Sequence, residues 1–324
     1  MRWVLSLPRR IAGRVVRGLH SISERVEPGL RRRGALLWQY LTVYRPLADG
    51  VRIRVPGVGW LALRLHPHGD NFISTALRQG QLLDAHVLEV LRSLVRRGDT
   101  VLDVGGNIGW FSVIGSRLVG QAGRVFAIEP DPLNAAMLRE NLRRNGCTNV
   151  ILEEVAAGAA AGVARLYHSA DNAGDHQMAV VADRASWVDV AVRPLDALLA
   201  GRVARADVVK MDTQGSEVAT LRGMTGLLAA HPATRMVLEF WPHGLERCGS
   251  TATELIDLLE AVPRRYWLLV HTGTIHPTTA ARLRELAVTD LAPATVMHAD
   301  IVAVAAGDSD GIARMTALES GGPA

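Results

Sequence analysis

The sequence predicts an α/β fold in which a mostly parallel seven-stranded sheet has helices on both faces. Three observations support this prediction. Short apolar runs alternate with segments of helical periodicity along most of the 324 residues, which is typical of parallel strands joined by crossover helices. A glycine-rich turn follows one of these runs, and an acidic residue ends the next. The hydrophobic content of 48% is sufficient for one large domain with a smaller extension.

Residues 1–48 are predicted to form a basic helical extension. Residues 1–34 hold nine arginines against two glutamates, a net charge of +7, so the remaining residues contribute about −3 to the total of +4. Apolar residues recur at roughly helical spacing between these arginines, as in an amphipathic helix that contacts an anionic membrane peripherally. A helix packed on the domain, or a solvated arm, is the simpler interpretation.

The domain itself is predicted at residues 49–306, followed by a loose C-terminal tail at 307–324. It begins with a hairpin whose strands span 51–55 and 60–65. The seven strands of the sheet are expected at 101–104, 124–129, 150–155, 207–212, 236–241, 266–270 and 300–304. Helices are expected at 82–95, 132–146 and 194–199, with one more through Leu255. The segment between residues 155 and 207 is too long for one crossover helix, and its alternation predicts an inserted pair of strands at 163–167 and 187–192.

A glycine-rich turn is the most informative part of the sequence. Asp103 interrupts an apolar strand, where a buried carboxylate needs a partner. Gly105 and Gly109 then allow the backbone to turn sharply, and Asn107 tolerates left-handed backbone angles better than most residues. Glu129 ends the next apolar strand. A strand, a glycine-rich turn, a helix and a strand ending in an acid form the Rossmann-type site for an adenosine cofactor, with the acid on the ribose hydroxyls.

The spacing of the turn discriminates between adenosine cofactors. A dinucleotide fingerprint requires glycine at 105, 107 and 110, where this chain has Gly105, Asn107 and Trp110. The pattern Asp-x-Gly-x-Asn-x-Gly instead resembles the first motif of class I S-adenosylmethionine methyltransferases. That cofactor has no pyrophosphate, and Asp103 is tolerable beside a sulfonium and an amino group, so Asp103 is counted among the cofactor-binding residues. A nucleotide-dependent oxidoreductase, or a glycine turn that binds nothing, remains the alternative.

A second motif surrounds Lys210, the only lysine among 36 basic residues. The period of two along a strand places Lys210 and Asp212 on one face, and a charge inside a central strand is costly unless it is paired. Glu239 is equally out of place in the apolar strand at 236–241. We therefore expect a Lys210–Glu239 ion pair at the carboxyl end of the sheet. Glu217 follows near the start of a helix, where its charge suits the helix dipole.

Taken together, the segments DVGGNIG, IEPDP, DNAGD, KMDTQGSE and EFWP resemble the FkbM family of methyltransferases. The match runs in order from about residue 70 to residue 304. It implies a class I methyltransferase fold, S-adenosylmethionine as the cofactor, and transfer to a hydroxyl group of a glycan, polyketide or lipid-like metabolite. The resemblance assigns Gly105, Asn107, Gly109 and Glu129 to the cofactor and Lys210, Asp212, Glu217 and Glu239 to the reacting end. The basic extension inherits no role from it.

A hydroxyl acceptor must lose its proton as it attacks, and Asp212, His176 or His243 is a candidate base. Asp171, Asp175 and Asp212 do not have a diagnostic metal spacing, so no metal is predicted. A ribose 2′-hydroxyl methyltransferase that grips RNA through the basic extension is one rival, although such enzymes usually place a second catalytic lysine. A non-catalytic partner subunit is another, and the acids at 129, 212, 217 and 239 argue against it.

Three further absences limit the range of functions. The chain lacks the Asn/Asp-Pro-Pro-aromatic motif of amino-group DNA methyltransferases, so DNA is not an expected partner. Cys147 and Cys248 have neither a disulfide pattern nor a metal-ligand spacing. No apolar run approaches the ~20 residues that span a bilayer. The expected protein is a cytoplasmic enzyme, with peripheral membrane contact through the extension as the open alternative.

Overall fold

The computed structural model describes residues 50–66, 70–179, 186–270, 273–295 and 297–320. The predicted basic extension of residues 1–48 lies outside these residues. Within them, no helix has both the length and the apolar content that crossing a membrane would require.

The described chain alternates strands and helices. The strands are β1 (Val51–Val55), β2 (Gly59–Leu63), β3 (Thr100–Val104), β4 (Arg124–Ile128), β5 (Val150–Glu153), β6 (Ala156–Ala157), β7 (Gly162–Tyr167), β8 (Trp187–Arg193), β9 (Val208–Met211), β10 (Arg235–Phe240), β11 (Arg264–Leu269), β12 (Ile275–Thr278) and β13 (Ala299–Ala305). The helices are α1 (Ile73–Arg78), α2 (Ala85–Leu94), α3 (Trp110–Val119), α4 (Pro132–Arg144), α5 (Leu195–Leu199), α6 (Glu217–Arg222), α7 (Thr225–Ala230), α8 (Pro242–Arg247), α9 (Ala252–Glu260), α10 (Ala280–Val288) and α11 (Ser309–Glu319).

Eight described strands form the central sheet, in the order β12-β11-β13-β10-β9-β3-β4-β5. The five strands from β10 to β5 run parallel, and β13, β11 and β12 continue the sheet antiparallel. All seven predicted strands are present, so the predicted α/β sheet is confirmed. The prediction of seven strands was short by one, because the edge strand β12 has the sequence Ile-His-Pro-Thr, which lacks an apolar alternation.

Helices cover both faces of this sheet, as predicted. Alternate residues of β3 enter opposite hydrophobic clusters: Val101 belongs to the cluster with α2 and α3, and Leu102 to the cluster with α6 and α9. All four residues of β9 are buried, as expected for a central parallel strand with both faces covered. The period of two therefore decides which helix layer each strand residue meets.

The segment between β5 and α5 forms a separate small sheet, in which β8 pairs antiparallel with β7 and parallel with β6. This confirms the predicted inserted pair of strands. One face of the hairpin is open, since Val163 and Trp187 are exposed. The loop that leaves β7 returns over the carboxyl end of the central sheet, where the backbone of Asn71 donates to the carbonyl of Asp171 at 2.7 Å.

The tail at 307–324 was predicted to be loose, and that prediction was wrong for residues 309–319, which form a helix; residues 321–324 lie outside the described residues. Helix α11 begins at an N-cap, with Asp308 accepting from the backbone N–H of Gly311. Met315 of this helix is fully buried in the same cluster as Trp267 of β11, and Trp267 Nε1 donates to Glu319. The apolar positions at 312, 315 and 318 recur at helical spacing, which was the signal for a packed helix.

Met315 gives a direct test of this packing. Met315→Ala should lower the free energy of unfolding by about 2–5 kcal/mol, because it removes a fully buried side chain and leaves a cavity. Met297→Ala is the matched control, since Met297 is 57% exposed and surface changes usually stay within about 0.5 kcal/mol. Urea unfolding of both variants measures the difference. Equal stabilities would show that α11 does not pack on the domain.

Candidate functional site

A cavity of about 690 Å³ lies at the carboxyl ends of the parallel strands. Ligands of open α/β sheets bind at this edge, where the loops that follow the strands converge, and the volume is within the range of small-molecule sites. The predicted site residues that line it are Gly105, Asn107, Glu129, Lys210, Asp212 and Glu239. The structure therefore brings together residues that the sequence separates by more than a hundred positions.

The glycine turn between β3 and α3 is held tightly against its neighbours. Gly105 has φ of +82°, and a Cβ there would come within 1.8 Å of the backbone oxygen of Asp212, so only glycine fits. The backbone of Gly105 also donates to the carbonyl of Ile128 at 2.9 Å. Asn107 adopts φ of +48°, the left-handed conformation expected from its residue type. Gly109, with φ of +91°, precedes α3 but does not line the cavity.

Glu129 is a buried carboxylate at the wall of the cavity, with 5% of the residue exposed. Its Oε2 accepts from the backbone N–H of Asn107 at 2.7 Å, and its Oε1 accepts from the N–H of Asp131 at 2.8 Å. Burial raises the pKa of Glu129 to about 7, against the opposing effect of these two hydrogen bonds. Each oxygen retains acceptor capacity, so hydroxyl donors of a ligand would stabilise the ionised form.

Asp103 lies beneath the cavity rather than in its lining. Its Oδ2 accepts from the hydroxyl of Ser112 at 2.5 Å, and its Oδ1 lies 3.8 Å from Lys210 Nζ. Burial raises the pKa of Asp103, and Lys210 and Ser112 oppose that effect. Asp103 was predicted to bind the cofactor, but its side chain contacts Ser112 and Lys210 and does not line the cavity. Asp103 instead pairs electrostatically with the ammonium group of Lys210.

Lys210 is buried, and its ammonium group bridges two strands. Nζ lies 3.5 Å from Asp212 Oδ2 and donates to the carbonyl of Gly105 at 3.3 Å. It also lies 5.2 Å from the centroid of the Phe111 ring. Burial alone would lower the pKa of Lys210, but the carboxylates of Asp212, Asp103, Asp84 and Asp300 together outweigh it and raise that pKa. The group therefore stays charged.

The predicted Lys210–Glu239 pair was wrong. The register of the sheet places Lys210 opposite Asp103 on β3 and opposite Val237 on β10. Glu239 is two residues beyond Val237, which puts it at the level of Asp212. Lys210 therefore lies beside the carboxylate of Asp103 on β3 and does not pair with Glu239 on β10.

Glu239 shares a glutamine with Asp212. Gln214 Nε2 donates to Asp212 Oδ1 at 2.7 Å and to Glu239 Oε1 at 3.1 Å. Glu239 Oε2 is buried and has no hydrogen-bond partner among the described residues. Burial, and then the charges of Asp212, Glu217 and Asp300, raise the pKa of Glu239 well above its usual range. The sequence analysis did not identify Gln214 as a site residue. Its position directly before Gly215 in the second motif was the available signal for a turn. The structure gives Gln214 a φ of +52°, which is a strained conformation for a residue other than glycine.

Glu217 supports this turn and does not line the cavity. Its Oε1 accepts from the backbone N–H and the hydroxyl of Thr213, both at 2.8 Å, so it fixes the loop between β9 and α6. Burial raises the pKa of Glu217. Glu217 was predicted to lie at the reacting end of the site. Because its Oε1 accepts from Thr213, in the loop that also holds Gln214, we assign it a positioning role instead.

The loop at residues 171–178 closes one side of the cavity. The carbonyl of Ala173 accepts from Asn107 Nδ2 at 2.8 Å and from Asn134 Nδ2 at 3.1 Å. Asp175 and His176 line the cavity. His243, the other histidine considered as a base, lies outside the lining, with its ring 5.6 Å from that of Trp241. Among the described residues, the acids at 171, 175 and 212 do not form a metal-ligand group.

Comparison with known proteins identifies the domain. The family model described as the methyltransferase FkbM domain matches residues 103–266. A curated protein-L-isoaspartate O-methyltransferase from Methanothrix thermoacetophila is 32% identical over 100 residues, which are 30% of this chain and 48% of that protein. The match thus spans about half the length of this curated relative.

Solved structures with a similar arrangement were also found. A SAM-dependent O-methyltransferase from Thermotoga maritima has a TM-score of 0.39 and 12% identity, covering 79% of this chain and 78% of its own. Fibrillarin from Aeropyrum pernix, with natively bound S-adenosyl-L-methionine, has a TM-score of 0.39 and 13% identity, covering 80% and 84%. An O-methyltransferase from Bacillus cereus in complex with SAH has a TM-score of 0.39 and 14% identity, covering 68% and 80%.

The partners of Lys210 lead to a stability prediction. Lys210→Met should lower the free energy of unfolding by about 3–5 kcal/mol at neutral pH, because Asp103 is left buried without its cation. A buried carboxyl with a raised pKa favours the folded state at low pH, so the loss should shrink as the pH falls towards 4. Urea unfolding across this pH range measures both effects.

The double variant Lys210→Met/Asp103→Asn is the control for this interpretation. It removes the unpaired charge and keeps a side chain that can bond to Ser112, so it should recover much of the lost stability. A single Lys210→Met variant as stable as the wild type would show that the ammonium does not support Asp103.

Proposed function

The chain belongs to the FkbM family of S-adenosylmethionine-dependent methyltransferases, and we propose that it methylates a hydroxyl group of a glycan, polyketide or lipid-like acceptor. The observation on which the acceptor side rests is Glu239, whose buried Oε2 has no partner among the described residues although the side chain lines the cavity. A hydroxyl group of the acceptor would donate the hydrogen bond that this oxygen lacks.

The residues of the cavity fit the cofactor. S-adenosylmethionine, when bound, supplies an electrophilic methyl group on a sulfonium. Glu129 would hold its ribose, since both carboxylate oxygens are fixed by backbone amides and still accept hydrogen bonds. The described lining contains no arginine, although arginine makes up all but one of the 36 basic residues of the chain. S-adenosylmethionine has no pyrophosphate to neutralise, so this lining is compatible with it, and the glycine spacing that a dinucleotide requires is absent from the turn.

The chain's contribution to methyl transfer is alignment and proton removal. Asp212 is held by Gln214 on one oxygen and faces Lys210 with the other, so its direction is fixed and it can orient an acceptor hydroxyl. Glu239 lies beside it, joined through the same glutamine. Its raised pKa makes its ionised form a stronger base than an ordinary carboxylate. We assign proton removal to Glu239 and hydroxyl orientation to Asp212.

The charge around the cavity restricts the acceptor. Asp84, Asp175, Asp212 and Glu239 line it, and Lys210, already surrounded by carboxylates, is its only lysine among the described residues. A polyanionic acceptor would be repelled by this lining. A neutral polyhydroxylated molecule, or one with a positive charge, matches it better than RNA does.

The cofactor assignment predicts a loss of affinity in one variant. Glu129→Ala should weaken S-adenosylmethionine binding by about 1.5–3 kcal/mol, the range of hydrogen bonds to charged groups. Calorimetry on the folded variant measures this, with Glu154→Ala as the control because Glu154 is exposed and lies outside the cavity. Unchanged affinity in Glu129→Ala, or tight binding of NAD to the wild type, would contradict the assignment.

The same carboxylate predicts a pH dependence. Because the pKa of Glu129 is raised to about 7, and hydroxyl donors favour its ionised form, affinity for S-adenosylmethionine should rise as the pH increases through 7 and then level off. Glu129→Gln cannot ionise, so this rise should be lost in that variant. Calorimetry between pH 6 and 8.5 compares the two proteins. The same rise in both would assign the pH effect to another group.

The acceptor assignment is tested by radiolabel transfer. Pure protein and methyl-labelled S-adenosylmethionine are incubated with separated glycan, polyketide, lipid and RNA fractions, and the labelled product identifies the acceptor. Glu239→Gln should then lower kcat by about 10²–10⁴, the usual contribution of a general base, with cofactor affinity unchanged. Glu246→Gln, at an exposed position of α8, is the control. A fully active Glu239→Gln variant would contradict the role of Glu239, and label in RNA alone would contradict the acceptor class.

A further inference from the structure

Three side chains with metal-binding groups gather where the inserted hairpin meets the N-terminus of α4. They are Asp131, His168 and His176, and one ligand atom from each lies within 4.8 Å of the other two. Asp131 precedes the first residue of α4, while the two histidines lie on the loop after β7. The proposed methyl transfer uses none of these three groups.

The cluster is partly organised already. Asp131 is 1% exposed, and its Oδ1 accepts from the backbone N–H groups of Leu133 and Asn134 as the N-cap of α4. Its Oδ2 lies 2.8 Å from His168 Nε2. The rings of His168 and His176 are 4.7 Å apart between centroids. A carboxylate fixed through one oxygen is thus directed at one imidazole, with a second imidazole in reach.

We propose that Asp131, His168 and His176 bind a divalent transition-metal ion of the zinc class. His176 brings a second imidazole to the Asp131–His168 pair, and its Nδ1 accepts from the backbone N–H of Ser169 at 3.2 Å. Two imidazole nitrogens and one carboxylate oxygen are a common zinc ligand set, whereas Mg²⁺ and Ca²⁺ prefer oxygen ligands. Water completes the coordination.

The required rearrangement is small. Bonds of about 2.0–2.1 Å at a tetrahedral centre place ligand atoms roughly 3.3 Å apart. The distance of 2.8 Å between His168 Nε2 and Asp131 Oδ2 is already close to this value, and a ligand atom of His176 lies within 4.8 Å of the other two. The ion replaces the hydrogen bond between His168 and Asp131, and the N-cap bonds from Oδ1 remain to orient the carboxylate, as outer partners of metal ligands do.

The position of the ion indicates its role. The backbone N–H of Asp131 donates to Glu129 Oε1, and His176 lines the cavity beside the loop whose Ala173 carbonyl binds Asn107 and Asn134. An ion at this point therefore ties the inserted loop to the helix that follows the strand of Glu129. It acts as a structural clamp on one wall of the cavity.

Metal binding is measured directly, without methyl transfer. The full chain, prepared without a histidine tag and stripped with a chelator, is titrated with Zn²⁺ and separately with Mg²⁺ by calorimetry at pH 7.5. We expect one saturable Zn²⁺ site and no Mg²⁺ site. His168→Gln, His176→Gln and Asp131→Asn should each weaken Zn²⁺ binding by more than the roughly 10–100-fold that outer partners cost.

Two controls make the result decisive. His276→Gln changes an exposed histidine of β12 outside the cluster and should leave the Zn²⁺ affinity unchanged. Asp131→Asn keeps an N-capping side chain, so its effect reports the lost charge. Absence of a saturable site, or equal Zn²⁺ affinity in the wild type and all three cluster variants, overturns the proposal.

A spectroscopic readout covers the case in which a histidine variant does not fold. Co²⁺ added to the wild-type protein should show the intense visible absorption of a tetrahedral imidazole-coordinated ion, displaced by one equivalent of Zn²⁺. A spectrum equal to that of aqueous Co²⁺ overturns the proposal. Neither measurement depends on methyl transfer, so failure of the proposed acceptor chemistry would leave this test intact.

Discussion

The buried ammonium group of Lys210 is the interaction on which the carboxyl end of the sheet depends. It stands between Asp103 on β3 and Asp212 just beyond β9, and it also binds the carbonyl of Gly105. Without a cation, two carboxylates at adjacent strand ends would repel each other in a region with little water. The hydrogen bond from Lys210 to Gly105 also holds the start of the glycine turn. One ammonium group therefore both balances the buried carboxylates and helps to shape the cavity.

Further acidic side chains are buried near this ammonium group, and each has its own polar partners. Asp103 has a hydroxyl and a cation, Glu217 has the amide and hydroxyl of Thr213, and Glu239 shares Gln214 with Asp212. Glu239 Oε2 has no hydrogen-bond partner among the described residues, and burial raises the pKa of Glu239 well above its ordinary value. Incomplete satisfaction of a buried group is costly to the fold, and such costs are most often found at functional sites.

The other side of the cavity is built from backbone amides rather than from ion pairs. Glu129 is fixed by the N–H groups of Asn107 and Asp131, and Asp131 in turn caps α4. The inserted loop is attached to the same region through the carbonyl of Ala173. The two sides therefore differ in chemistry: a carboxylate fixed by backbone amides lies on one side, and a cluster of carboxyl groups, to which we assign the proposed hydroxyl acceptor, lies on the other.

The sequence by itself determined the features that depend on local backbone geometry and on alternation. The seven strands, the glycine turn and the position of Glu129 at its strand end were predicted because each is encoded within a few residues. Only the tertiary structure decided which charged groups meet. Lys210 pairs with Asp103 rather than Glu239 because strand register, set by packing across the whole sheet, places Val237 at its level. The strand β12, the packing of α11 and the meeting of His168 with Asp131 likewise arise from distant segments brought together by the fold, which no local pattern specifies.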